Sequence, residues 1–236
     1  MLSADNTGRS DQIKSTDKGC KMYNFVTGPL VWLSFIIFVA GSIYKITSML
    51  KLAKKDKVIY PYMNLKFSFR SLAHWLIPFG GRNMRLRPVM TIVTFTFHLC
   101  LLLTPIFLVG HITLWDMAWG ISWWGLPDAL ANAMTVFVIA GCVFLLLRRL
   151  LFLEVYNVTY LGDYAFLLIV FLTFLTGFLA HHQMVDYKPI LTLHVLCGEI
   201  MLIAIPLTRL SHMLYFFFTR AYMGCEFGFV RNSKDW

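Results

Sequence analysis

Hydrophobic residues fall in five long blocks along the chain, and the polar residues gather between them. A helix of roughly 20 apolar residues crosses the ~30 Å hydrocarbon layer of a bilayer, so each block predicts a membrane span. The first runs from about Val26 to Ile46, with Lys45 placed to snorkel at its end. The second runs from about Val89 to Leu114 without a Lys, Arg, Asp or Glu, but it contains His98, Pro105 and His111. The third covers about Ala129 to Leu147 and stops at Arg148 and Arg149, and the fourth covers about Tyr164 to Ala180. The fifth, about Ile190 to Phe218, is the most polar in content, holding His194, Glu199, Arg209 and His212. Ahead of them all, residues 1–22 carry charged side chains and almost nothing to bury; they read as a disordered tail without the apolar stretch of a cleaved signal peptide.

Composition agrees with lipid as the solvent. Of 236 residues 58% are hydrophobic and only 14% charged, against about 25% charged in an ordinary soluble domain. The net charge of +9 is unevenly spread, with ten basic residues between Lys45 and Arg87, a block that suits a cytoplasmic loop better than nucleic-acid binding. The link between the second and third blocks has no Lys or Arg and carries Trp115, Trp119, Trp123 and Trp124, residues of the interfacial belt. These asymmetries orient the chain with its amino terminus outside and its carboxyl terminus inside, although the four basic residues of the amino-terminal tail oppose that direction. Five cysteines (Cys20, Cys100, Cys142, Cys197 and Cys225) lie far apart, without a C-x-x-C pair for zinc or iron-sulfur or a C-x-x-C-H for covalent haem.

The four histidines inside apolar blocks carry the chemistry. An ionisable side chain in hydrocarbon costs a few kcal/mol, so each requires a partner. On a continuous helix the 18 residues from His194 to His212 are about five turns and about 27 Å, which puts both on one face, near opposite membrane surfaces. The second block runs antiparallel to the fifth, so depth pairs His111 with His194 outside and His98 with His212 inside. The 13 residues between His98 and His111 turn the second helix so that they stand about 140° apart, unless Pro105 kinks or rewinds it. Two imidazoles on facing helices suit the axial positions of a haem iron and leave none open for substrate, which favours electron transfer; zinc or copper would need further ligands.

Other polar residues admit two readings each. Arg209, three positions before His212, either holds the propionates of an inner haem or snorkels to the cytoplasm. Glu199, about 7 Å inward of His194, either accepts a quinol proton or is a neutral acid hydrogen-bonded in the bundle. His181, His182 and Asp186 lie in the outer link, either solvated or available for ligation and quinol deprotonation. The long basic and aromatic segment from Lys51 to Arg87, which includes His74, offers a cationic dock for a cytoplasmic partner.

The string RLLFLEVYNVTYLGDYAFLLIVFLTFLTGFL (149–179) and the string LHVLCGEIMLIAIPLTRLSH (193–212) resemble the cytochrome b (gamma) subunit of respiratory nitrate reductases and the related membrane subunits of heterodisulfide-reductase-like and sulfate-reducer transmembrane redox complexes. The likeness covers roughly residues 88–215 and includes Phe97-His98, Gly110-His111 and the pair His194 and His212. It implies two b-type haems, an outward amino terminus, a place in anaerobic respiration and quinone chemistry, with menaquinone a candidate, at the outer haem.

The expectation is thus an all-α integral membrane protein, a five-helix transmembrane bundle binding two b haems. It divides into a polar tail (1–22), a five-span cytochrome b domain (23–218) and a cytoplasmic carboxyl-terminal tail (219–236). The expected ligands are His98, His111, His194 and His212, with Arg209 at the inner haem. The expected function is electron transfer across a bacterial or archaeal cytoplasmic membrane, between the quinone pool or a periplasmic multihaem cytochrome c and a cytoplasmic iron-sulfur subunit. The competing class is a proton or ion transporter using the same histidines, although neither internal repeats nor paired broken helices are evident.

Overall fold

The computed structural model describes residues 21–235, and within them every regular element is helical. The amino-terminal tail expected over 1–22 lies outside the described residues except for Lys21 and Met22, which already belong to a helix. Eight helices organise the molecule: α1 (Lys21–Lys54), α2 (Leu65–Leu76), α3 (Pro88–Phe107), α4 (Val109–Trp119), α5 (Asp128–Leu151), α6 (Leu161–His181), α7 (Tyr187–Leu207) and α8 (His212–Cys225). Five of them, α1, α3, α5, α6 and α7, are long and apolar enough to cross a membrane. The protein is therefore an all-helical, membrane-type molecule with five candidate spans.

The long helices touch in the order α1, α7, α6, α5, α3. A buried cluster of Phe97 and Cys100 from α3, Met134, Val138 and Cys142 from α5, and Val170 and Phe174 from α6 fixes one side of the bundle. Gly141 permits the α3–α5 approach, since a Cβ there would lie 2.7 Å from the Phe97 ring. Gly41 does the same for α1 and α7, where a Cβ would meet Pro206 at 2.8 Å. The four described cysteines are buried and unpaired with one another.

Two expected spans are broken, and each break has a chemical cause. The second was expected to continue to Leu114, but α3 ends at Phe107, Leu108 is extended (ψ 124°), and α4 starts afresh. Pro105 removes one hydrogen bond from the last turn, and a helix end frees its final carbonyls, which in lipid must find donors. They do: Pro105 O accepts from the His111 ring at 2.8 Å, Ile106 O from the Trp123 indole at 3.0 Å, and Phe107 O from the Leu126 amide at 2.8 Å. The Trp-rich link thus folds back over the end of α3. Trp119 and Trp115 of α4 pack on Trp32 and Phe35 of α1.

The fifth span was expected to run unbroken to Phe218. It ends at Leu207, just beyond Pro206, and Thr208 is extended before a 3-10 turn (Arg209–Ser211) leads into α8. The Thr208 hydroxyl donates to Ala204 O and accepts from the Leu210 amide, so one side chain terminates one helix and caps the next. His194 and His212 consequently do not share a continuous helix, and the five-turn argument for their common face does not apply.

Residues 219–225 continue α8, a π-helical turn spans Glu226–Val230, and the end of the chain folds back on α2. The expected tail is thus structured in its described part. Asp235 accepts from Ser71 Oγ at 2.5 Å and from the Trp75 indole at 3.2 Å, while Arg220 stacks over Trp75. At the α2–α8 crossing, Asn64 N and Ser68 Oγ lie 3.2 and 3.3 Å from the fully buried Cys225 Sγ. Tyr222 of α8 donates to Asp56 after α1; burial, together with that carboxylate, pushes the phenol up to about 12, and the same bond lowers the Asp56 carboxyl.

A Cβ on Gly224 would lie 2.5 Å from Ser71 Cβ and 2.6 Å from Phe67 O. Gly224→Val should therefore separate α2 from α8 and cost about 1–3 kcal/mol, the usual penalty of overpacking. Limited proteolysis of the 55–87 segment checks this, and unchanged protection would contradict it.

Candidate functional site

Each break aims a histidine. The Pro105 carbonyl, freed at the end of α3, receives His111 Nδ1 from the first turn of α4, so the ring is set by the break itself. This overcomes the 140° mismatch of a continuous helix. His98 Nδ1 lies 2.8 Å from Thr94 O on α3, and His212 Nδ1 lies 2.9 Å from Arg209 O in the 3-10 turn. His194 Nδ1 lies 3.0 Å from Thr173 O, a carbonyl of the neighbouring helix α6. Gly177 makes room for that ring, since a Cβ there would meet His194 Cε1 at 2.8 Å.

The four bonds share one consequence. A carbonyl can only accept, so every Nδ1 carries the proton and donates it, and in the neutral ring Nε2 keeps its lone pair. No Nε2 of these four hydrogen-bonds to a described residue. An oriented imidazole with its other nitrogen anchored to a carbonyl is the arrangement that metal-ligating histidines adopt.

The structure brings the rings together in two pairs. His111 and His194 stand with ring centroids 6.1 Å apart and planes at 11°; His98 and His212 stand 6.2 Å apart with planes at 76°. His98 comes from α3, His111 from α4, His194 from α7 and His212 from the start of α8, so each pair joins the α3–α4 side of the fold to the α7–α8 side. Gly198, one turn from His194, and Gly110, beside His111, have nothing within 4 Å of where a Cβ would lie. His111 and His194 are partly buried, whereas His98 and His212 are exposed. Each pair offers two donors only, and no group of three or more His, Cys, Asp or Glu side chains converges among the described residues.

The remaining candidates are placed differently. The Arg209 guanidinium, one reading of which gave it to a haem propionate, is held by Asp163 of α6 at 2.9 and 3.2 Å and lies over the Tyr160 ring. Asp163 also accepts from the Tyr160 amide at the start of α6, so it ties that helix end to the turn carrying His212. Sequence reasoning missed Asp163; its signal was an acid at the third position of an otherwise apolar span. His181 and His182 pack on each other, with ring centroids 4.9 Å apart, and His182 also packs on Phe178; both are exposed, as is Asp186. No ring contact or hydrogen bond joins them to His194 among the described residues. Glu199 is buried in α7, and neither carboxyl oxygen has a described hydrogen-bond partner.

Comparison with known proteins gives an alignment over most of the chain. A protein of Nitratidesulfovibrio vulgaris (strain Hildenborough), described simply as "Protein", is 35% identical over 217 residues, covering 90% of this chain and 96% of the relative. No family model matches, and no solved structure matches.

Proposed function

The chain belongs to the family of that Nitratidesulfovibrio protein, and we propose that it is the di-haem cytochrome b subunit of a membrane-bound respiratory redox complex. In this reading it passes electrons across the membrane between the quinone pool, or a periplasmic multihaem cytochrome c, and a cytoplasmic iron-sulfur subunit. The observation that carries it is the spacing of the two imidazole pairs. With a metal–imidazole bond of about 2.0 Å and roughly 1.1 Å from nitrogen to ring centroid, two imidazoles sharing one metal ion would stand up to about 6.2 Å apart. The observed 6.1 and 6.2 Å match this value.

The donor set favours haem over a bare ion. Zinc and copper sites draw three or four ligands from the protein, whereas a haem brings four nitrogens of its own and would ask only two donors of the chain. His111 with His194 would hold the outer group and His98 with His212 the inner one, and Gly110 and Gly198 leave room beside the outer pair. Bound there, the groups would supply one-electron ferric–ferrous chemistry. The chain's own part is to present four neutral imidazoles at two depths, with Thr94, Pro105, Thr173 and Arg209 carbonyls fixing their tautomers. The exposed His181, His182 and Asp186, between α6 and α7, would take up the protons released by a quinol such as menaquinol bound on that side. An absorption spectrum tests the reading against a histidine-based transporter, because only the cytochrome has a reduced b-type α band.

The same reading places the protein in a bacterial or archaeal cytoplasmic membrane, with residues 113–128 outside and residues 51–87 and the carboxyl terminus inside. An impermeant thiol reagent applied to whole cells should label a cysteine placed at Thr113 and leave one at Lys55 unlabelled; labelling at Lys55 reverses the orientation.

A further inference from the structure

Glu199 is the one acid fully inside a candidate span, at 4% exposure, and both its oxygens lack a described hydrogen-bond partner. A buried carboxyl without a partner costs several kcal/mol unless it stays protonated or is met by water. Its neighbourhood on α1 repeats the anomaly. Gly41 of α1 abuts Pro206 of α7, and the two spans run in the same direction, as the first and fifth of five must. Seven residues back from that contact on each helix are Ser34 and Glu199, about two turns away and on the same faces. Ser34 is completely buried, and Ser42, next to Gly41, is buried with a hydroxyl that has no described partner. Most buried hydroxyls of these helices, such as Ser34, Thr173 and Thr176, bond back to their own helix, so Ser42 is an exception.

We propose that the α1–α7 seam is a hydrated proton path that runs from the lysine-bearing end of α1, past Ser42 and Ser34, to Glu199. Two orphaned polar groups and a buried serine, spread over about 12 Å of helix at and beside this contact, give water the polar partners it needs to remain inside a membrane domain. Glu199 ends the path as a neutral acid that exchanges its proton with water at the end where Lys45, Lys51 and Lys54 lie. No charged or titratable group stands at its level on the packed elements: α1 offers Ser34 there and Lys45 only three turns further, and α6 offers Thr173 and Thr176, with Asp163 and His181 at its ends. His194, five residues back on α7, is the nearest titratable group of its own helix apart from Cys197. This goes beyond the electron-transfer reading and does not require it.

Infrared spectra of the full-length protein in vesicles, transferred from H2O to D2O, test the path. A protonated-carboxyl C=O band should be present, disappear in Glu199→Gln, and shift to its deuterated position in the parent protein. Ser42→Val, which keeps the acid and fills the seam, should slow that shift about tenfold, the loss of one hydrogen-bonding station for water. Absence of a Glu199-dependent band, or exchange at the parent rate in Ser42→Val, overturns the proposal. Haem content measured on the same samples reports separately on the cytochrome reading, so the two can fail independently.

Discussion

Pyridine haemochrome analysis of the purified protein should give two b-type haems per chain, and alanine at either histidine of one pair should remove one of them. His194→Ala is expected to lose the outer haem and His212→Ala the inner, so each variant retains about half the parent haem content, and the double variant retains none. The independence follows from the fold. His194 sits in the body of α7, anchored to Thr173 of α6, whereas His212 opens α8 beyond the break at Thr208. From His194 to the end of α7 is about 20 Å of helix, well past the range within which substitutions usually couple. Each ring is anchored to a different carbonyl, so losing one leaves the other tautomer in place. Parent protein with one haem or none would sink the two-haem reading. Loss of both haems from one substitution would show instead that the two sites are built cooperatively.

The five long helices were legible because lipid imposes a length and a composition that sequence displays directly, and α5 and α6 lie close to their expected limits. The two breaks were not legible, although Pro105 and Pro206 marked their neighbourhoods. A proline in a membrane helix kinks it or ends it according to whether the freed carbonyls find other donors. Those donors, His111, Trp123 and Leu126 at the first break, become visible only once the link has folded back. The histidines meet in the pairs that depth alone suggests, yet the route differs: a shared face of one helix was the argument, and two helices joined by a turn are the fact. Arg209 shows a different limit. Its nearness to His212 in sequence was plain, but its partner Asp163 is 46 residues away on another span, and nothing in the local pattern links them.

Charge reversal at Arg82, Arg85 and Arg87 should weaken association with a cytoplasmic redox partner, more at low salt than at high, while leaving haem content unchanged. All three side chains are exposed, and none takes part in a described salt bridge. They form a compact basic edge in the short helix Arg82–Leu86 and at the residue before α3 begins. His98 is ten residues into α3, about 15 Å along its axis, so a partner seated on this edge lies at the end of the bundle that carries the inner pair. Exposed charges at an interface mainly steer encounter and set register, and their effect is screened beyond about 10 Å at 0.1 M salt. The expected signature is therefore a slower association rate that converges with the parent's as salt is raised. The rest of the loop is less suited to this role, because α2 is already occupied: α8 covers it, and the carboxyl-terminal segment is latched to Ser71 and Trp75 through Asp235. If the triple variant keeps the parent's association rate and electron transfer at low salt, the docking edge is elsewhere. The exposed outer surface of α8 and the segment ending at Asp235 then become the place to reverse charge next.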